Sequence, residues 1–179
     1  SGDPKYDALV SKVMEVFERH NIASGLYPTY YSNQMDQFTN TQITFGALGD
    51  SFYEYLLKQY LLTGKTEPKY LEWYKKSMNG MFKELVKESS PSKLVYIQEK
   101  NGSSGPDKMD HLACFAGGML LLGSDYTKEK ERDMKAGLGI TETCYETYKR
   151  MPSGLGPETF IFNQGNDFVP GVKTYLLRP

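Results

Sequence analysis

The residues best placed to do chemistry lie in Gly46-Ala47-Leu48-Gly49-Asp50-Ser51-Phe52-Tyr53-Glu54-Tyr55-Leu56-Leu57-Lys58-Gln59, where two carboxylates and an aromatic cluster meet at the mouth of a helix. Glycines at 46 and 49 permit a tight backbone approach. Ser51-x-x-Glu54 reads as a capping box that opens a helix just after Asp50. From there Phe52, Tyr53, Leu56, Leu57, Tyr60 and Leu61 recur at helical spacing, so one face is buried while Asp50 stays near the open, positive end. A carboxylate at that end is favoured in its ionised form and suits a general base or an acceptor for a sugar hydroxyl. A plain helix-start aspartate satisfies the same pattern.

Asp110, His111, Glu158 and Arg178 are the other candidates, being polar or charged residues set in apolar or glycine-containing surroundings where a solvated face would not need them. Each of the first three also has a structural reading. Asp110 is a natural helix N-cap, Glu158 in Gly154-Leu155-Gly156-Pro157-Glu158 can simply end a turn, and His111 can be a satisfied core histidine.

Other chemistries find little support. The two histidines, His20 and His111, are far apart, and no HExxH or CxxC pattern accompanies the two cysteines, so zinc has little to recommend it. No Gly-x-Ser-x-Gly nucleophile elbow and no phosphate-cradling glycine loop occur. With 179 residues, 39% of them hydrophobic and 24% charged, the chain can build one globular core, and a net charge of -1 gives no electrostatic reason to expect nucleic acid. No apolar run approaches the length that spans a bilayer. Ser1-Gly2-Asp3-Pro4 has neither a methionine nor a leader, and Tyr175-Leu176-Leu177-Arg178-Pro179 stops without a cap or polar tail, as expected of a fragment truncated at both ends.

The elements that must position these residues are mostly helical. A first helix is predicted over about Tyr6 to His20, with Leu9, Val10, Val13, Val16 and Phe17 as its apolar stripe. Ser24 to Asn40 has no helical period and reads as a long loop delivering the chain to Asp50. A helix from Ser51 to about Leu62 ends at Thr63-Gly64, and another from Glu67-Pro68 to Lys87 completes a helical hairpin. Leu94 to Ile97 and Thr159 to Phe162 read as short strands, while Met109 to Leu122 and about Thr127 to Arg150 form a second helical pair. Leu61-Leu62-Thr63-Gly64-Lys65 and Leu120-Leu121-Leu122-Gly123-Ser124 weakly echo each other, each ending one helix ahead of a charged, Tyr-bearing helix. Cys114 and Cys144 lie on neighbouring predicted helices, where either a disulfide or two buried thiols is compatible with the pattern. Asn101-Gly102-Ser103 is an N-glycosylation sequon in a polar loop, which leans towards the secretory pathway.

Taken in order, Ser24-Gly25-Leu26-Tyr27-Pro28, the Gly46 to Lys58 segment, Lys108-Met109-Asp110-His111-Leu112-Ala113-Cys114-Phe115, Thr143-Cys144-Tyr145-Glu146, Gly156-Pro157-Glu158 and Leu177-Arg178-Pro179 resemble the family 47 glycoside hydrolases, the class I α-1,2-mannosidases. The resemblance runs from about residue 24 to the end. It implies an all-α fold, part of a barrel of seven αα hairpins (an α/α toroid) with short β-hairpin excursions, and makes residues 1–179 a partial catalytic domain. It implies hydrolysis of terminal α-1,2-linked mannose from high-mannose N-glycans with inversion, with Asp50 as one of three carboxylates around the scissile bond. Asp110-His111 matches the pair lining the sugar pocket, Glu158 a pocket carboxylate, Arg178 the arginine of a Leu-Arg-Pro-Glu motif, and Cys114 with Cys144 the family disulfide.

The same resemblance implies a bound Ca2+ with its ligand residues outside this chain. The second catalytic carboxylate is expected directly after Pro179 and the third before Ser1, so the chain alone should be inactive, with helix faces exposed that missing hairpins would bury. Leu48 stands where endoplasmic reticulum enzymes carry a branch-binding arginine, which points to the Golgi type and looser branch selection. The full-length relatives are expected to be monomeric type II membrane proteins of the Golgi or endoplasmic reticulum lumen. A mannosidase-like quality-control factor of ER-associated degradation, which binds glycans without turnover, is the rival reading, and a structural helical-repeat module a third.

Overall fold

A computed structural model describes residues 2–176, so Arg178 lies outside the described residues. Helix α1 (Pro4–His20) opens with Asp3, whose side chain accepts from Lys5 N, and with Pro4 in the first turn. The expected loop then folds back as a hairpin of β1 (Tyr31–Ser32) and β2 (Gln37–Phe38), followed by β3 (Gln42–Ile43). Next come α2 (Asp50–Leu62) and α3 (Pro68–Glu84), joined by a short turn in which Gly64 takes positive φ. Strands β4 (Val86–Glu88) and β5 (Val95–Ile97) form a hairpin, and β6 (Lys100–Asn101) pairs antiparallel with β3. Strand β7 (Lys108–Asp110) leads through a 3-10 turn at His111–Cys114 into α4 (Phe115–Gly123), and α5 (Lys130–Lys149) returns antiparallel to it. Strands β8 (Thr159–Asn163) and β9 (Asp167–Pro170) complete a three-stranded antiparallel sheet in the order β7-β8-β9.

Two αα hairpins, α2 with α3 and α4 with α5, are therefore the body of the fold, as the echo between their first helices implies. The second pair packs closely because glycines face each other. A Cβ on Gly137 would sit 2.8 Å from Gly117 O, and one on Gly117 would sit 2.5 Å from Thr141 Oγ1. The Cys114–Cys144 disulfide, with Cα atoms 6.0 Å apart, staples the same pair and settles the choice between bridge and free thiols. The core runs through both hairpins and the sheet: Phe45 stacks on Tyr53 at 4.2 Å, Tyr53 Oη accepts from Tyr27 N, and Tyr96 stacks on Phe162 at 3.7 Å.

Four sequence expectations need correction. Helix α2 begins at Asp50 with Gly49 as its cap, and no capping box forms. Gly49 N and Asp50 N already donate to Gly46 O, the Asp50 carboxylate takes Ser51 N, and Glu54 pairs with Lys58 instead of reaching back. Helix α3 stops short of Lys87 because Val86–Glu88 pairs with Val95–Ile97. Met109 lies in a strand, not a helix, since Lys108–Asp110 pairs with Thr159, Phe160 and Ile161. Finally, α1 fully buries none of its stripe: Val16 and Phe17 are half-buried, Phe17 against the core, while Leu9, Val10 and Val13 are more than half exposed. Among the described residues, no helix is long and apolar enough to cross a membrane.

Candidate active site

The glycine at 46 brings the first two candidate segments together. Its backbone lies so close to Asp110 that an added Cβ would sit 2.5 Å from Asp110 Oδ2 and 2.7 Å from Asp110 Cβ. Gly46 O in turn accepts from Asp50 N at 3.0 Å, so the Asp110 carboxyl stands one tight turn away from the start of α2. The Asp50 carboxylate accepts from Ser51 N at 2.8 Å and is half-buried at the helix mouth. A glycine is needed at 49 as well, because a side chain there would run into the Thr44 carbonyl.

The third segment arrives through the sheet. Asp110 pairs with Thr159 across β7 and β8, and His111 N donates to Glu158 O at 2.9 Å. Glu158 N is itself fixed by Val172 O and Thr174 O, which straps the segment after β9 over the site. His111 is 6% exposed; its Nε2 hydrogen-bonds Tyr148 Oη, and Tyr175 meets the ring edge-on at 6.2 Å. Burial pushes the Tyr148 phenol up, and its hydrogen bond with Tyr175 adds to this, so Tyr148 stays protonated at neutral pH. His111 is thus a buried, hydrogen-bonded histidine directly beside Asp110. Asp110, by contrast, makes no capping bond although it occupies an N-cap position; its carboxylate goes to Lys108.

Leu48 projects from the Gly46–Asp50 turn, 64% exposed and at φ 75°. It edges a small pocket of about 110 Å³ lined by Phe17, Tyr27, Tyr31, Phe38 and Phe52. Asn101 is exposed on β6, with its Oδ1 accepting from Thr41 Oγ1 at 2.6 Å, so its sequon is reachable from solvent. Among the described residues no group of three or more His, Cys, Asp or Glu side chains converges as a metal ion would need, and no residue here is assigned to calcium.

Sequence reasoning passed over Glu99, Lys108, Tyr148 and Tyr175, which surround Asp110 and His111. Only the Lys-x-Asp spacing of Lys108 and Asp110 carried a signal, because alternate strand residues share a face.

The sequence and the fold match a known class. Glycosyl hydrolase family 47 matches over residues 1–179. The chain is 43% identical to mannosyl-oligosaccharide 1,2-alpha-mannosidase MNS1 of Arabidopsis thaliana over all of this chain and 32% of that protein. It is 42% identical to the endoplasmic reticulum mannosyl-oligosaccharide 1,2-alpha-mannosidase of Saccharomyces cerevisiae, over 93% of this chain and 34% of that one. The solved alpha-1,2-mannosidase from Trichoderma reesei superposes with a TM-score of 0.79 at 27% identity, covering 90% of this chain and 34% of that structure. The chain belongs to glycosyl hydrolase family 47, and its helical hairpins are a section of that family's α/α barrel. It spans about a third of the length of the curated relatives it matches.

Proposed function

We propose that the protein carrying this chain is an inverting glycosidase that removes terminal α-1,2-linked mannose from high-mannose N-glycans in the lumen of the secretory pathway. The observation that carries this reading is the seating of the Asp110 carboxyl on Gly46, one turn from Asp50, with Glu158 tied to His111 from the other side. The Gly46 turn and the sheet thereby draw together three segments distant in sequence, each of which carries an acidic residue.

In this reading Asp50 is one of the carboxylates at the scissile bond, acting on the leaving oxygen or on water. Inversion needs an acid and a base on opposite faces of the sugar, roughly 6.5–9.5 Å apart, so partner carboxylates from outside this chain complete the machinery. Asp110, His111, Glu158 and Arg178 bind the sugar, and Leu48, lacking the fork of donors an arginine offers, leaves branch selection loose, as in Golgi-type enzymes. The calcium implied by the family resemblance is proposed to sit on residues outside this chain. Asn101 is proposed to carry an N-glycan, and residues 1–179 to be part of a catalytic domain that works as a monomer behind a membrane anchor.

The test is mannose release from an α-1,2-linked high-mannose glycan by the full-length protein, with calcium, compared with Asp50→Asn. Loss of most turnover with glycan binding retained is expected. A natural protein that binds the glycan and releases nothing would refute the hydrolase and leave a lectin-like quality-control factor.

A further inference from the structure

Beside the sugar-facing Asp110 sit two charged side chains, Glu99 and Lys108, to which the chemistry above gives no part. Lys108 Nζ lies 3.1 Å from Glu99 Oε2 and 3.1 Å from Asp110 Oδ1, bridging the two carboxylates. The backbone sets this up. Lys108 and Asp110 share a face of β7, and Glu99 N donates to Lys108 O at 3.2 Å, which lays Glu99 alongside. The carboxylate side chains are only 13% and 14% exposed, so their mutual repulsion is poorly screened and an ammonium between them offsets it. Burial, then the charge of Asp110, pushes the Glu99 carboxyl up. Burial works against the Lys108 charge, but its bonds to Glu99 and Asp110 outweigh that and keep it protonated.

Asp110 is therefore gripped on two sides. Lys108 takes Oδ1, and Gly46 stands so close on the other side that a Cβ there would lie 2.5 Å from Oδ2 and 2.7 Å from Asp110 Cβ, which leaves the carboxyl little room to swing in that direction. We propose that Lys108, anchored by Glu99, is a positioning residue that pins Asp110 Oδ1 so that Oδ2 faces the Gly46–Asp50 turn, ready to accept from a mannose hydroxyl. This rests on the mannosidase reading and deepens it. Lys108 touches no substrate: it acts through Asp110, sparing binding the entropy of ordering that side chain.

The test is a double-mutant cycle in the full-length protein, using Lys108→Met, Asp110→Asn and the pair, with Lys108→Arg as the conservative rescue and Glu99→Gln as a second approach that keeps the shape. Steady-state mannose release and glycan affinity are both measured, with circular dichroism to establish folding. Lys108→Met should raise KM about tenfold with kcat within about twofold, Lys108→Arg should recover most of the loss, and the double variant should be little worse than Asp110→Asn alone. Additive losses, an unchanged KM for Lys108→Met, or kcat and KM falling together with the folded fraction would overturn the proposal and leave a structural ion pair. If Lys108→Met does not fold, Glu99→Gln decides: KM raised with kcat kept supports the grip, and no change in KM refutes it. If the natural protein binds the glycan without releasing mannose, the hydrolase reading fails while the same cycle on affinity still decides the role of Lys108. If it neither binds nor cleaves, both fall.

Discussion

Asp167 is the residue whose removal should most clearly weaken the frame behind the site. It sits at the start of β9 with a side chain 3% exposed, and its carboxylate accepts from Ser89 Oγ at 2.7 Å, Ser92 N at 2.8 Å and Arg150 Nη1 at 3.0 Å. Its own N–H donates to Ser90 O, so the β8–β9 turn is sewn to the loop between β4 and β5. Burial alone would raise this carboxyl; the bonds from Ser89, Ser92 and Arg150 outweigh burial and hold it down, from 3.8 to about 2. By linkage that difference is worth about 2 kcal/mol of folding stability. The sign follows from the depressed value: the contribution is complete above the unfolded value near 3.8 and disappears as pH falls through about 2. In Asp167→Asn the amide must set an N–H against Ser92 N–H or the Arg150 guanidinium, which leaves a buried donor unmet and Arg150 short of a partner. The loss should be about 2–4 kcal/mol at neutral pH. Urea unfolding of the full-length protein and the variant, followed by circular dichroism at a series of pH values, measures it. The gap should be constant above about pH 5 and narrow steadily towards about pH 2. A gap below about 1 kcal/mol at neutral pH, or one unchanged down to about pH 3, would refute the reasoning.

Two further substitutions test the packing around the site. Gly46→Ala drives a methyl into Asp110, so mannose release should fall at least about tenfold while stability drops only by about 1–3 kcal/mol, and near-normal turnover would show that Asp110 is not where the chemistry needs it. Replacing Cys114 and Cys144 together by alanine opens a loop of 30 residues, and thermal unfolding should report a loss of about 3–4 kcal/mol that reducing agent no longer increases, whereas a loss under about 1 kcal/mol would contradict the chain-entropy account.

What was legible in the sequence was whatever a single chain segment decides for itself. The helices of the first hairpin showed because Leu56 and Leu57, or Tyr70, Tyr74 and Met81, are spaced to bury one face, and Gly64 marks a turn at positive φ. The glycines at 46 and 49 also spoke plainly, since both turn out to face atoms that leave no room for a Cβ. The misread elements are those decided by a partner. Lys108-Met109-Asp110 is three residues long and abuts an apolar helical run, so only its ladder with Thr159–Ile161 reveals a strand. The Ser51-x-x-Glu54 pattern failed because the helix starts one residue earlier, at Asp50, whose own carboxylate takes the Ser51 N–H, while Glu54 pairs with Lys58.

The same distinction explains why the candidate site was visible as residues but not as geometry. Asp50, Asp110, His111 and Glu158 stand out by type, yet what joins them is the strand β7, and a one-residue shift in its pairing would turn Asp110 and Lys108 to the opposite face of the sheet. Register is fixed by Met109, fully buried between them and paired with the equally buried Phe160. A core methionine with no chemistry of its own therefore determines which way the polar residues on either side of it point. The alternation that buries Met109 also aims Lys108 and Asp110 together, so packing and the placement of the acidic group are one constraint. For that reason substitutions at Met109 or Phe160 belong with the site as much as with the core, although neither residue could touch a sugar.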